Sequence, residues 1–177
     1  KELWRVGGLN PGGQKYFRSI SSPVIAGNLL LAPYSRGNTL TAIRLGGNGD
    51  VTKSHVAWMN KGGAAADVPS PIVQGDRAFV CSDRGRLTCL DVKTGKAIWS
   101  GQAEKNRQGF SSSPILAGGR IYITREDGKT FVVDSGDSFK VVAANELGEF
   151  TVATPIFSQG QILLRTTEHL YCIGKRT

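Results

Sequence analysis

The chain has little cysteine, and none of it falls in a pattern that binds a metal or a haem. The three cysteines are Cys81, Cys89 and Cys172. An odd count leaves at least one thiol unpaired, and neither adjacent cysteines nor a Cys-x-x-Cys occurs. All three lie in aliphatic or β-branched stretches, so we expect buried thiols. A hairpin with Gly85 in the left-handed conformation would place Cys81 opposite Leu87 rather than Cys89.

Long apolar runs and clusters of one charge are also missing. No run approaches the roughly 20 apolar residues that a membrane-spanning helix needs, and the first residues, KELWRV, do not resemble a signal peptide. The formal net charge is +8, but no five basic residues follow one another, so we do not expect a nucleic-acid-binding stripe. The histidines His55 and His169 have no Ser, Cys or metal-ligand partner at motif spacing. We expect strand-end histidines rather than catalytic groups.

What the chain does contain is a repeat. A Ser-Pro or Thr-Pro pair followed by a short apolar run occurs at Ser22-Pro23, Ser70-Pro71, Ser113-Pro114 and Thr154-Pro155. The prolines fall 48, 43 and 41 residues apart, a period typical of propeller blades. We expect the repeated hydroxyls to bind the backbone rather than to act as four nucleophiles.

Each copy predicts a four-stranded antiparallel sheet. An inner strand follows the proline, a glycine turn leads to a second strand, and a polar hairpin leads to a third strand. The predicted second and third strands are 29–31 and 40–45, 78–81 and 87–90, 121–123 and 130–133, and 162–164 and 170–173. The predicted outer strands are 56–59, 97–100 and 140–143, and the fourth copy lacks one. The predicted blades are 19–62, 67–104 and 110–147, with an incomplete blade at 151–174.

The second copy carries the most specific motif. Its connection between third and outer strands contains Asp91, Thr94, Gly95, Lys96 and Trp99. This spacing resembles the tryptophan-docking pattern of the pyrroloquinoline-quinone (PQQ) repeat. The family pattern begins with an alanine, and this chain has Cys89 at that position. The other copies keep less of it: Trp4 and Trp58 retain the tryptophan, and Ala143 replaces it in the third copy.

The resemblance implies an all-β PQQ-like β-propeller with about four blades present, from a superfamily whose closed rings usually have seven or eight. That superfamily includes quinoprotein dehydrogenases, the propeller lipoprotein of the outer-membrane β-barrel assembly machinery and other bacterial envelope proteins. The motif itself is a packing signature, since the indole wedges between blades and its N–H finds a backbone acceptor.

Residues 1–6 have the spacing of an outer strand without inner strands of their own. Two interpretations stay open. The segment closes a four-bladed ring by pairing with the last repeat, or it belongs to a preceding blade of a longer propeller. We favour the second, in which the chain is the carboxy-terminal half of a longer propeller and a missing half completes the ring. A homodimer that completes the ring stays a separate possibility.

The candidate binding residues lie where the loops before the inner strands and the hairpins between second and third strands gather on one face. This predicted rim consists of Arg18, Arg36, Asp67, Asp83, Arg84, Phe110, Arg125 and Glu126. Charged hairpin residues are most often solvated turn residues, and aromatic residues beside inner strands usually pack between blades. We assign no catalytic residue and no metal ligand.

We therefore expect a non-catalytic binding or scaffold module for protein or peptide partners in the periplasm or cell envelope, without a cofactor. The leading alternative is part of a quinoprotein dehydrogenase, which would bind PQQ and calcium. This chain has neither the adjacent cysteines nor an assignable calcium site that such enzymes share. A third hypothesis is a sugar- or polyanion-binding propeller that uses the arginine-bearing hairpins.

Overall fold

Four antiparallel sheets follow one another along the chain in the computed structural model, which describes residues 1–13, 15, 20–34, 39–62 and 64–175. In chain order the elements are β1 (Trp4–Arg5), β2 (Val24–Ala26), β3 (Leu29–Tyr34), β4 (Thr39–Arg44), β5 (Gly49–Asp50), α1 (Thr52–His55), β6 (Val56–Lys61), β7 (Ile72–Gln74), β8 (Arg77–Cys81), β9 (Arg86–Asp91), β10 (Ala97–Gln102), β11 (Ile115–Ala117), β12 (Arg120–Thr124), β13 (Lys129–Asp134), β14 (Val141–Glu146), β15 (Ile156–Ser158), β16 (Gln161–Arg165) and β17 (Leu170–Ile173).

The strand order confirms the predicted all-β architecture of four-stranded antiparallel sheets. The sheets are β2-β3-β4-β6, β7-β8-β9-β10, β11-β12-β13-β14 and β15-β16-β17, and neighbouring strands within each are antiparallel. Cys81 pairs with Leu87, as the hairpin geometry predicts. In the described part of the fourth blade there are three strands. The domain boundaries themselves stay a prediction.

The hydrophobic core lies between blades. One cluster joins the first and second blades and includes Leu31 and Val80, and another joins the second and third and includes Phe79, Ile121 and Val133. Since the second blade is covered on both faces, its middle strands β8 and β9 are buried almost throughout. Their near-continuous apolar sequence follows from that position.

Trp58 and Trp99 each reach from an outer strand to the next blade. The indole N–H of Trp58 donates to the Val92 carbonyl at 2.9 Å, and that of Trp99 donates to the Gly136 carbonyl at 2.8 Å. Trp99 also packs between Phe79 of its own blade and Phe139 of the next, at centroid distances of 5.8 and 6.0 Å. Each indole therefore combines apolar burial with a satisfied donor.

The turn that receives Trp58 is the motif of the second blade. Asp91 Oδ1 accepts hydrogen bonds from the Thr94 N–H and hydroxyl, both at 2.7 Å. Gly95 has a φ of 69°, and a Cβ on it would lie 2.4 Å from Cε3 of Trp58. Glycine here supplies the left-handed backbone and the space for the neighbouring indole.

The hydroxyls before the prolines link the blades in series. The Ser22 N–H donates to Ser70 Oγ at 2.9 Å, the Ser70 N–H to Ser113 Oγ at 2.9 Å, and the Ser113 N–H to Thr154 Oγ1 at 3.0 Å. The prediction that these hydroxyls bind backbone is confirmed for Ser70, Ser113 and Thr154. Their partners lie in the preceding blade, so the repeated hydroxyl ties neighbouring inner strands together.

The amino-terminal segment lies along the first blade. Trp4 and Arg5 pair in parallel with Gly49 and Asp50, within the connection between β4 and β6. The corresponding connections of the second and third blades receive Trp58 and Trp99. The choice between a preceding blade and ring closure stays a prediction.

The cysteines differ in burial. Cys81 and Cys89 are buried, as expected, and burial raises the pKa of their thiols to about 12 and about 11. The expectation was wrong for Cys172, which is exposed. It lies on β17, the last strand of the three-stranded sheet, and among the described residues no further strand pairs beside it.

Candidate functional site

Interblade loops and hairpins meet on one face of the propeller, which we call the rim. The Phe110 N–H donates to the Asp83 carbonyl, and the Thr151 N–H donates to the Glu126 carbonyl, each at 2.9 Å. Phe110 lies in the loop before the inner strand β11, and Thr151 lies in the loop before the inner strand β15. Each of these two loops therefore packs against the hairpin of the preceding blade. Backbone hydrogen bonds therefore hold these loops and hairpins together on one face, and the assignment of binding residues to that face stays a prediction.

Two carboxylates of the predicted rim hold this surface in place. Asp83 accepts hydrogen bonds from the N–H groups of Asp67 and Val68, both at 3.1 Å. Glu126 accepts from the Gly109 N–H at 3.3 Å and from the Ser111 hydroxyl at 2.6 Å. In both cases a hairpin acid orders the loop that enters its own blade, so we assign these side chains a positioning role.

Arg125 and Phe110 lie beneath the rim, which corrects their place among the accessible residues. The Arg125 side chain is 3% exposed and forms ion pairs with Asp127 at 2.8 Å and Glu104 at 3.4 Å. Hydrogen bonding to Asp127 raises the pKa of this guanidinium. Phe110 is 2% exposed and packs against Phe131, with ring centroids 6.1 Å apart. Sequence position alone did not reveal that both side chains are buried. Asp67 is also largely buried.

We expect Asp127→Asn to destabilise the protein more than Arg125→Met does. The first change leaves a buried guanidinium with a weakened partner and should cost about 1–3 kcal/mol. The second change removes the positive charge of Arg125, so no buried charge is left without a partner. A methionine is similar in length and can occupy the space of the arginine side chain. Urea unfolding of both variants measures the difference. An Asp127→Asn variant as stable as wild type would contradict the importance of this pair.

The accessible part of the rim is basic. Arg84, Lys105 and Arg107 are exposed and line a surface cavity of about 650 Å³, together with the polar residues Asp83, Gln102, Asn106 and Gln108. Gln102 anchors one side through a hydrogen bond to the Arg84 carbonyl at 2.8 Å. Because the Asp83 carboxylate already accepts two backbone N–H groups, the cavity presents mainly cationic and amide groups.

The rim predicted from the sequence did not include Lys105 and Arg107, because it was drawn only from hairpin residues and residues directly before the inner strands. The polar run from Glu104 to Gln108, between an outer strand and the next Ser-Pro, is the sequence feature that indicates an exposed loop here. Of the predicted rim, the structure brings Asp83 and Arg84 into this cavity. Arg18 and Arg36 lie outside the described residues.

A second polar cluster lies at the fourth blade. Glu149 accepts hydrogen bonds from the hydroxyls of Thr166 and Tyr171, each at 2.5 Å, and lies 2.8 Å from His169 Nδ1. The bond from Thr166, followed by that from Tyr171, lowers the pKa of Glu149 to about 2. Like Asp83 and Glu126, Glu149 joins a loop to a hairpin.

This pKa makes the Glu149 contribution to stability dependent on pH. A depressed carboxyl pKa in the folded state stabilises the protein above the ordinary value of 4.5, and that stability is lost as the pH falls through about 2. We expect Glu149→Gln to destabilise the protein at pH 7 and to cost progressively less between pH 4.5 and pH 2. Chemical unfolding of both proteins at pH 7, 4 and 2.5 tests this, and a cost independent of pH would contradict it.

The calcium of the dehydrogenase alternative would need a cluster of oxygen ligands. Among them, no group of three or more His, Cys, Asp and Glu side chains could hold a metal ion. The carboxylates that gather on the rim are engaged with backbone and hydroxyl donors. Within the same residues, no helix has the length and apolar character to cross a membrane.

Comparison with known proteins identifies relatives of this chain. The profile of the family described as "Outer membrane protein assembly factor BamB" matches residues 1–138 and again residues 50–165. The protein of that name from Moranella endobia is 30% identical over 124 residues, which cover 64% of this chain and 31% of the relative. The chain thus spans about a third of the length of that relative.

Solved structures show the same fold. BamB from Moraxella catarrhalis matches with a TM-score of 0.68 at 12% identity, over 88% of this chain and 48% of that one. A europium-containing methanol dehydrogenase matches with a TM-score of 0.60 at 14% identity, over 75% of this chain and 25% of that one. At these identities the likeness concerns the propeller fold. The family profile, which matches most of the chain, is more specific, and the chain belongs to the PQQ-like β-propeller family of outer membrane protein assembly factor BamB.

Proposed function

We propose that this chain is a non-catalytic propeller module that binds a protein partner in the bacterial envelope and serves outer membrane protein assembly. The observation that carries the proposal is the basic cavity of the rim, formed by Arg84, Lys105 and Arg107. Support also comes from the names of the relatives, which are assembly factors.

The chemistry of the cavity suits an acidic peptide segment. Its cations are exposed at the surface, while amide groups of Gln102 and Gln108 can donate to and accept from a peptide backbone. Carboxylates on the partner would pair with the two arginines, whose planar guanidinium groups suit bidentate contacts. The loops are held by the hydrogen bonds of Asp83 and Glu126, so little ordering is needed on binding.

The test uses charge reversal in the protein, expressed from a plasmid. We expect Arg84→Glu combined with Arg107→Glu to lower the amount of folded outer-membrane proteins in cells whose own gene has been deleted. Reversed charges repel an acidic partner and slow its association, which we expect to reduce affinity at least about tenfold. Folded and unfolded outer-membrane proteins can be separated by their different migration with and without heating.

The matched control is Lys53→Glu combined with Lys140→Glu, which makes the same change in net charge at exposed positions outside the cavity. The control should behave as wild type. Equal defects in both double variants would contradict a specific rim interaction.

Two further measurements test the alternative functions. Calcium-dependent binding of PQQ to the purified protein would support the dehydrogenase alternative, and salt-sensitive retention on heparin would support the polyanion alternative.

A further inference from the structure

The repeat allows the interfaces between blades to be compared position by position. In the second blade Phe79 pairs with Ile72, Cys89 with Trp99, and Leu87 with Gly101. The same pairings in the third blade are Tyr122 with Ile115, Val132 with Ala143, and Thr130 with Asn145. Ala143 therefore occupies the position of Trp99, and Thr130 that of Leu87.

Ala143 for Trp99 and Thr130 for Leu87 remove side-chain volume from the interface with the fourth blade. Asn145 in the place of Gly101 returns part of that volume at the edge. In the preceding interface the Trp99 indole lies against Phe79 and Phe139. Ile121 and Ile123, which face that interface, are fully buried. Their equivalents by strand pairing in the fourth blade are Ile162, which is half-buried, and Leu164, which is 3% exposed. Ile162 is thus less completely covered than Ile121.

A cavity of about 210 Å³ lies in this place. Its apolar wall includes Tyr122 and Phe157, whose ring centroids are 4.5 Å apart, together with Ile162, Leu164 and Ile173. Asn145, two residues beyond Ala143, also lines it. Since residues two apart on a strand share a face, Ala143 lies on the cavity side of β14, and Ala144 lies on the other side.

We infer that this interblade cavity binds a small, uncharged aromatic molecule. An apolar cavity of about 150 Å³ is large enough to bind benzene, so this one accommodates a single ring or a small fused ring. The two aromatic residues of the wall offer ring-to-ring contacts. No charged residue lines the cavity among those described, and the amide of Asn145 offers a polar contact at the edge.

The test uses indole as the probe and methyl groups as reporters. We expect saturable chemical-shift changes in the methyl signals of Ile162, Leu164 and Ile173 when indole is added to the isotope-labelled protein. Indole-3-acetate, which adds a carboxylate, should bind at least about tenfold more weakly, because the cavity has no cation to compensate for removing the charge from water. These shifts do not depend on partner binding at the rim, so their failure is distinguishable from failure of the proposed function.

Two variants connect the signal to the cavity. Ala143→Trp should fill it with the chain's own indole and abolish the shifts, whereas Ala144→Trp, on the opposite face of the same strand, should leave them unchanged. Thr130→Leu restores the residue of the second blade and should weaken binding if Ala143→Trp does not fold. The inference is overturned if indole gives no saturable shifts, or if Ala143→Trp and Thr130→Leu both bind it as wild type does. It is also overturned if only a tryptophan-containing peptide, and not indole, binds there.

Discussion

Replacement of Trp99 by alanine is expected to lower the free energy of unfolding by about 3–5 kcal/mol, the usual cost of truncating a large buried aromatic side chain. Trp99 is 8% exposed and fills the space between the second and third blades. Alanine would leave a cavity against Phe79 and Phe139 and would leave the Gly136 carbonyl without its indole donor. Equilibrium unfolding in urea, followed by circular dichroism, measures the loss.

Two variants separate the parts of this effect. Trp99→Phe keeps most of the apolar contact but removes the hydrogen bond, so it should cost less than Trp99→Ala. Ile98→Ala changes the adjacent residue of the same strand, whose side chain is 42% exposed, and should cost under about 1 kcal/mol. If Trp99→Ala were no more destabilising than Ile98→Ala, the indole would not be holding these blades together.

Gly95→Ala is expected to destabilise the protein by about 2–5 kcal/mol. The left-handed backbone costs a residue with a Cβ about 1–2 kcal/mol, and forcing extra volume into a packed site costs about 1–3 kcal/mol. Both apply here, because φ is 69° and the added methyl group would meet the indole of Trp58. Thermal or urea unfolding checks this value.

Gly75 provides a matched control. It has a φ of 57°, but a Cβ added there would have no atom within 4 Å. Gly75→Ala should therefore show only the backbone cost. Combining Gly95→Ala with Trp58→Ala should recover the steric part, so the two changes should cost less together than the sum of their separate effects. Equal costs for Gly75→Ala and Gly95→Ala would contradict the docking of Trp58 on this turn.

The strands and their order were predictable because the chemistry that specifies them is local and repeated. Each inner strand follows a Ser-Pro or Thr-Pro, and glycine turns separate it from the second strand. The register of Cys81 with Leu87 followed from the length of one hairpin. The missing tryptophan at Ala143 was also visible, but its consequence required the facing blade, since cavity volume depends on residues such as Phe157 and Ile162.

The site was less predictable, because it depends on contacts between loops that do not repeat. Arg125 and Phe110 occupy loop or hairpin positions typical of solvated residues, yet both are buried and contact Phe131. The basic cavity uses Lys105 and Arg107, which belong to an interblade loop without a motif. Burial of Cys172 was expected from its apolar strand, but an apolar sequence does not say whether a strand has a neighbour on each side.

The most direct test of the central claim places a photocrosslinking amino acid at Gln108, in the rim cavity, and at Ile98, on the outer strand of the same blade. The protein is used in living cells, with and without Arg84→Glu and Arg107→Glu. We predict one discrete covalent adduct with an envelope protein from Gln108, lost on charge reversal and absent from Ile98. No adduct from Gln108, or the same adducts from both positions, would contradict the claim that the rim binds a protein partner.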